Sequence, residues 1–385
     1  MIVPKVDDEA ARRVFADQVG GERGELINLM CDLTYLDAPS AVRAPLRRRV
    51  EELLEQHAFE WAALGPLVKD SYFRRGAVEV VRLDAQVLLE NAELIAESAP
   101  LLRGMIVEKV TVENGDPLEV LRRVLALPVM ARLESLTVDV PTVFRETTGA
   151  YGEFDFFEQK FADESVATFL RSGLRPAALE LSETTAEGMR VLGESGALAG
   201  VRALQCAGFL PEVAAWCPRL EVLGLSTGAA PLLGREWPAS LRELRLWGAD
   251  DASVAELSAS PLARHIRRLR LGSFHRDLEL GGFRSLRALD AWGFERGRAL
   301  RAALLRGQFT ELRELRLSDR CSLDDARAVL RAYGPQLEFL DLSRLRVEGH
   351  EDELRSMVAG AVRFGPNVRS TIPLLAGRTE FEPWL

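Results

Sequence analysis

Leu241-Arg242-Glu243-Leu244-Arg245-Leu246 is the stretch from which the fold is read. Aliphatic residues hold its first, fourth and sixth positions. The fourth and sixth share strand parity, so they point to one side of an extended chain while the third and fifth point to the other. The pattern recurs at Leu133/Leu136/Val138, Val201/Leu204/Cys206, Leu220/Leu223/Leu225, Ile266/Leu269/Leu271, Leu286/Leu289/Ala291, Leu312/Leu315/Leu317 and Leu337/Leu340/Leu342. Weaker copies stand at Val78/Val81/Leu83, at Val107/Val110/Val112 and around Leu179/Leu181. Steps between middle residues run from 19 to 29, apart from one of 43 between Leu136 and Leu179. One hexapeptide buries only a few aliphatics, each worth about 1.5–3 kcal/mol, so it is stable only when stacked on its neighbours.

This period is that of leucine-rich repeats. The expected fold is therefore α/β, a leucine-rich-repeat solenoid with a curved parallel sheet on one side and helices on the convex side. Ala252–Leu257 and Asp324–Leu330 read as such helices, with Asp324 and Asp325 suited to a positive first turn. The asparagine common three residues after the last aliphatic is replaced by Phe209, Gly228, Ala249, Phe274, Phe294, Arg320 and Leu345, which predicts irregular repeats. The long step predicts an insertion near 141–165. Its run Tyr151-Gly-Glu-Phe-Asp-Phe-Phe-Glu-Gln-Lys-Phe161 reads either as a helix or loop face carrying Phe154, Phe157 and Phe161, or as a projecting partner-binding loop.

Residues 1–75 lack a repeat and read as a helical N-terminal cap, with helices over Asp8–Val19, Gly24–Leu36 and Val42–Trp61 expected to seat on the first rung. The solenoid is assigned to 76–345. Residues 346–385 read as a C-terminal cap and tail: a helix over Glu351–Arg363, then an extended segment from Asn367 that covers the last rung or docks a partner. Ala11-Arg-Arg-Val-Phe-Ala-Asp17, Glu22-Arg-Gly-Glu-Leu-Ile-Asn-Leu29, Glu51-Glu-Leu-Leu-Glu-Gln-His57 with Trp61, Leu64-Gly-Pro-Leu67 and Phe73-Arg-Arg-Gly76 are similar to the bacterial repeat-companion domain. That domain precedes leucine-rich repeats in many myxobacterial and planctomycete proteins. The similarity spans roughly residues 7 to 110, with Gln18-Val19 departing from the Trp-Leu common there. It implies a bacterial cytoplasmic protein that binds other proteins and carries no catalytic residue set.

Composition agrees with a folded, non-enzymatic chain. Its 385 residues are 47% hydrophobic and 28% charged, enough for a large core. A net charge of −9 disfavours binding to double-stranded nucleic acid. No apolar stretch approaches the roughly 18 residues of a membrane span, and MIVPKVDDEAARRV has no signal core, so a cytoplasmic location without membrane contact is expected. Lysine occurs only at 5, 69, 109 and 160, an arginine bias that fits GC-rich bacterial coding. Cys31, Cys206, Cys217 and Cys321 form no Cys-x-x-Cys pair, and His57, His265, His275 and His350 share no ligand spacing, so neither metal nor cofactor is expected. There is no phosphate loop and no Gly-x-Ser-x-Gly elbow, hence no catalytic residue to nominate.

The concave face is set by the odd positions, which become charged and aromatic toward the C-terminus. The candidate partner-binding residues are Arg245, Trp247, Arg268, Arg270, Asp290, Trp292, Arg316, Phe339 and Asp341. Arg245 is expected beside Arg270, with Trp247 and Trp292 two rungs apart across Gly272. Two readings follow. Either the arginines and tryptophans form a slot for a protein or peptide with acidic groups, or Asp290 and the other carboxylates neutralise the arginines. The leading expectation is a recognition scaffold with a protein or peptide partner, in an oligomeric state the residues do not specify. The alternatives are a regulatory subunit of a nucleotide-dependent enzyme such as a small GTPase, and a binder of an anionic ligand or single-stranded nucleic acid.

Overall fold

A computed structural model describes residues 9–35, 39–61, 64–74, 76–112, 116–148, 154–208, 210–226, 232–272, 277–292, 297–307, 309–317, 321–343 and 345–364. The expected tail from Asn367 lies outside the described residues, as do Phe209, Gly228, Phe274, Phe294 and Arg320. The chain forms two compact units, one from Ala62–Leu220 and the other from Met1–Trp61 with Glu221–Thr371.

Three helices open the chain: α1 (Glu9–Val19), α2 (Gly21–Tyr35) and α3 (Ser40–Trp61). The unit of residues 62–220 follows with β1 (Asp70–Arg74), β2 (Ala77–Asp84), α4 (Ala85–Ser98), β3 (Gly104–Glu108), β4 (Thr111–Val112), α5 (Pro117–Leu125) and β5 (Ser135–Val138). It continues through β6 (Thr142–Thr148), β7 (Phe154–Lys160), α6 (Ala162–Ser172), β8 (Ala178–Leu181), α7 (Ala186–Glu194), β9 (Ala203–Cys206) and α8 (Val213–Trp216). Its main sheet has the order β1-β2-β3-β5-β8-β9. All neighbours are parallel except β1, which runs antiparallel to β2 and, with a register shift between Tyr72 and Phe73, guards that edge. Leu136, Leu179 and Leu204 pair in one row, as the hexapeptides require.

Two expectations are corrected in this unit. Val81 pairs with Met105, so Met105 and Val107 take the places expected for Val110 and Val112. Met105/Val107 and Val110/Val112 each show the spacing of a strand, with the parity changing at Glu108-Lys109 between them. Gly104 decides the register: a Cβ there would lie 2.8 Å from Val80 Cγ2 and 3.2 Å from Ser135 Cβ, so the neighbouring third positions close over it. Thr111–Val112 instead joins a small sheet of order β4-β6-β7. The second correction is the insertion, where the helix or loop expected around Phe154 is a strand. Its aromatic run favours extended backbone and pairs along its length with Thr142–Thr148.

The unit of residues 1–61 and 221–371 contains α1–α3 and the seven strands β10 (Val222–Leu225), β11 (Glu243–Trp247), β12 (Arg268–Gly272), β13 (Ala288–Trp292), β14 (Glu314–Arg316), β15 (Phe339–Leu342) and β16 (Ala361–Phe364). Between them lie α9 (Asp251–Ala259), α10 (Gly297–Gly307), α11 (Leu323–Tyr333) and α12 (Glu351–Ser356). The sheet is wholly parallel and in register: Leu223, Leu244, Leu269, Leu289, Leu315 and Leu340 form one row, extended by Val362. The Leu residues of this row are buried, forming the core together with Leu246, Leu271, Leu317 and Leu342. The helices expected over Ala252–Leu257 and Asp324–Leu330 are present, capped by Asp250 and Ser322, whose side chains accept from the amides of Ser253 and Asp325.

The C-terminal expectation is corrected too. The helix predicted over Glu351–Arg363 stops at Ser356, and the chain then adds β16 beside β15. Gly360 permits the turn: a Cβ there would sit 1.9 Å from the Glu338 carbonyl oxygen, the same oxygen that accepts from the Ala361 amide at 3.0 Å. The N-terminal helices likewise depart from their expected seat on the first rung, since α3 packs against β15 and β16, the last two strands.

Candidate functional site

The odd-position face of β11–β16 assembles the residues nominated from sequence, and the register is the expected one. Arg245 stands opposite Arg270, Arg270 opposite Asp290, Asp290 opposite Arg316 and Arg316 opposite Asp341. Trp247, Gly272 and Trp292 form the next row. The Trp292 side chain lies outside the described residues; Trp247 is half-buried.

Like charges facing across a sheet cost stability, and here carboxylates remove that cost. Arg270 Nε lies 2.8 Å from Asp290 Oδ2, and Arg316 reaches both Asp290 and Asp341 at 3.3 Å. Arg245 Nε donates to Glu243 Oε1 at 2.6 Å on its own strand. Asp341 also accepts from the Ser343 amide at 2.8 Å and is completely buried, 0% exposed. Of the two readings of the Arg/Asp face, the geometry therefore matches neutralisation. The nominated Arg245, Asp290, Phe339 and Asp341 are corrected as contact residues, because each is buried within this unit. Arg268, Arg270, Arg316 and Trp247 keep partial exposure.

The reason for burial at β15 and β16 is α3. Its Arg43-x3-Arg47-x3-Glu51 spacing puts three charged side chains on one helical stripe. Arg43 Nε donates to Glu338 Oε2 at 3.1 Å, and Ser40 Oγ donates to Glu338 Oε1 at 3.0 Å. Arg48 reaches the Ala359 carbonyl oxygen at 2.6 Å. Glu51 accepts from Arg363 Nη2 at 2.9 Å, and Arg363 Nη1 stands 3.9 Å from Asp341. Burial alone would lower the affinity of Arg363 for its proton, but Glu51 and Asp341 outweigh it and hold its pKa above the usual value. The guanidinium carbons of Arg47 and Arg363 each sit 5.2 Å from the centre of the Phe339 ring. Phe339, nominated as a partner anchor, is thus the anchor for the chain's own helix.

Sequence reading missed Arg43, Arg47, Glu51, Glu338 and Arg363. The i,i+4 charge stripe on α3 was a visible signal for half of this contact; its partners lie hundreds of residues away, as in the 298-residue separation of Ser40 from Glu338. All four cysteines are buried, and burial pushes the thiols of Cys206, Cys217 and Cys321 up to about 12, which leaves them unreactive near neutrality. Among the described residues, no group of histidine, cysteine or carboxylate side chains could hold a metal ion, and no helix is long and apolar enough to cross a membrane. The chain matches no family model and no curated protein.

Proposed function

We propose that this chain is a non-catalytic recognition protein of the leucine-rich-repeat type, whose stacked rungs present a preformed surface to a protein or peptide partner. The observation that carries the reading is the seating of α3, a protein helix held against β15 and β16 by Glu338, Phe339 and Arg363. A rigid face of this kind spends little ordering entropy on its own side when a second chain docks. With β15 and β16 occupied, contact with another molecule falls to Trp247, Arg268 and Arg270 on β11 and β12. The test is retention of a partner purified from the native host by Trp247→Ala and Arg270→Glu variants, each checked for folding by circular dichroism. Weakened retention in either supports the reading, and unchanged retention in both rejects that surface.

A further inference from the structure

The second position of the hexapeptide, one residue before the strand, carries in four rungs a column of cations that the odd-position map passes over. Arg242, Arg267, Arg287 and Arg313 occupy it in four successive rungs, preceded by Glu221 and followed by Glu338. Their backbones are stacked directly: the Arg267 amide donates to the Arg242 carbonyl at 2.8 Å, Arg287 to Arg267 at 2.7 Å, Arg313 to Arg287 at 2.8 Å and Glu338 to Arg313 at 2.7 Å. Exposed Arg264 and Arg284 lie on the turns leading into the same strands.

The last two members of the column already hold carboxylates. Arg287 Nε donates to Glu311 at 3.1 Å, and Arg313 lies 3.4 Å from Glu338. The first two do not. Among the described residues, neither Arg242 nor Arg267 has a carboxylate within ion-pair distance, and the same holds for Arg264, Arg268 and Arg284. Partial burial, chiefly, and then Arg287 and Arg242 alongside lower the pKa of Arg267 against the pull of Glu311, one mark of crowded like charge beside the geometry. A buried Arg268 Nη1 with no hydrogen-bond partner is a second, independent mark.

From this geometry we infer that the column at the starts of β11–β14 binds an acidic peptide segment, with carboxylates completing Arg242 and Arg267 as Glu311 and Glu338 complete Arg287 and Arg313. Three rung intervals span about 14 Å, the reach of roughly four residues of extended chain. A guanidinium fork matches a carboxylate in shape as well as charge. A long polyanion is disfavoured by the chain's net charge of −9, whereas a short acidic segment is steered to this local cationic stripe. This inference rests on the recognition reading and moves the contact from the strand face to the strand starts.

The probe is a fluorescein-labelled hexaglutamate peptide, titrated with the full chain at low salt and followed by fluorescence anisotropy. Arg242→Ala/Arg267→Ala is expected to weaken binding about tenfold, the loss of two partly exposed charge contacts. Arg267→Lys is expected to recover only part of that loss, because charge is restored without the fork. Arg190→Ala, on the exposed side of α7, is expected to leave the peptide bound. The inference is overturned if the double variant binds like the parent, if the parent does not bind the peptide, or if a single-stranded hexanucleotide binds more tightly than hexaglutamate. Loss of native-partner retention in Trp247→Ala with no hexaglutamate binding rejects the column and keeps the recognition reading. Hexaglutamate held by the column, with native-partner retention untouched by Trp247→Ala and Arg270→Glu, rejects the strand-face assignment and keeps the column.

Discussion

The same hexapeptide builds the odd-position faces of both units, yet one face is open and the other is filled. In the unit of residues 62–220, Arg82 pairs with Glu108 and Asp70 while its side chain stays 41% exposed, and Lys69 and Lys109 meet Asp84 from the surrounding loops. Glu180 accepts from Thr137 and Gln205 and is half-buried. In the other unit Asp290 and Asp341, at the equivalent fifth positions, are 3% and 0% exposed, and α3 covers the face at β15 and β16. Identical backbone geometry thus carries charges of very different energetic weight. A pair in water contributes little; a desolvated pair is expensive to break.

The largest expected effect follows from that contrast. Asp341→Ala leaves the part-buried Arg316 and Arg363 without their shared carboxylate, each keeping one other partner, and should cost about 3 kcal/mol in chemical denaturation. Glu180→Ala, the matched change on the open face, should cost less than about 1 kcal/mol, its donors turning to water. Equal losses at the two positions would abolish the distinction. Next in size is Arg43→Ala, which removes one cation from the buried Glu338 and should destabilise by about 1–3 kcal/mol, with faster amide exchange in residues 40–61. Arg82→Ala sits at the bottom of the scale, at less than about 1 kcal/mol.

Acid titration sharpens the comparison from the open side. Burial pushes the carboxyls of Glu108 and Asp84 up, but Arg82 with Lys69 and Lys69 with Lys109, respectively, outweigh it and hold both below their ordinary values. Groups depressed in the folded state contribute stability above their unfolded values, near about pH 4, and lose it as the pH falls through the folded ones. Burial raises Asp139 in the same patch, so its ionised form is penalised and protonation relieves it. Substituting Lys69 by Met should therefore flatten the acid limb of stability below about pH 4 while shifting the neutral value only slightly.

How much of this was legible depends on whether the signal was local. Leu244 and Leu246, and their counterparts on every rung from β8 to β15, announce themselves because burial and strand parity repeat at a fixed interval. The β3 register was ambiguous since Met105/Val107 and Val110/Val112 both have strand spacing, and the closeness of Val80 and Ser135 to Gly104 separates them. Ala361-Val-Arg-Phe364 lacks the leucine pattern and follows an acidic helix start, so its strand was hidden. The arginine column was in plain view at the second positions, one place from those that strand parity singles out. The docking of α3 was not, because ion pairs between Arg43 and Glu338 or Glu51 and Arg363 leave no trace at either end of the sequence.

Closure of the C-terminal face by α3 is tested most directly by a double-mutant cycle on Glu51 and Arg363, read by chemical denaturation of the full chain. With the contact at 2.9 Å, Glu51→Ala and Arg363→Ala should be non-additive by about 1–3 kcal/mol. Additivity within about 0.3 kcal/mol would mean that the helix does not sit on these strands.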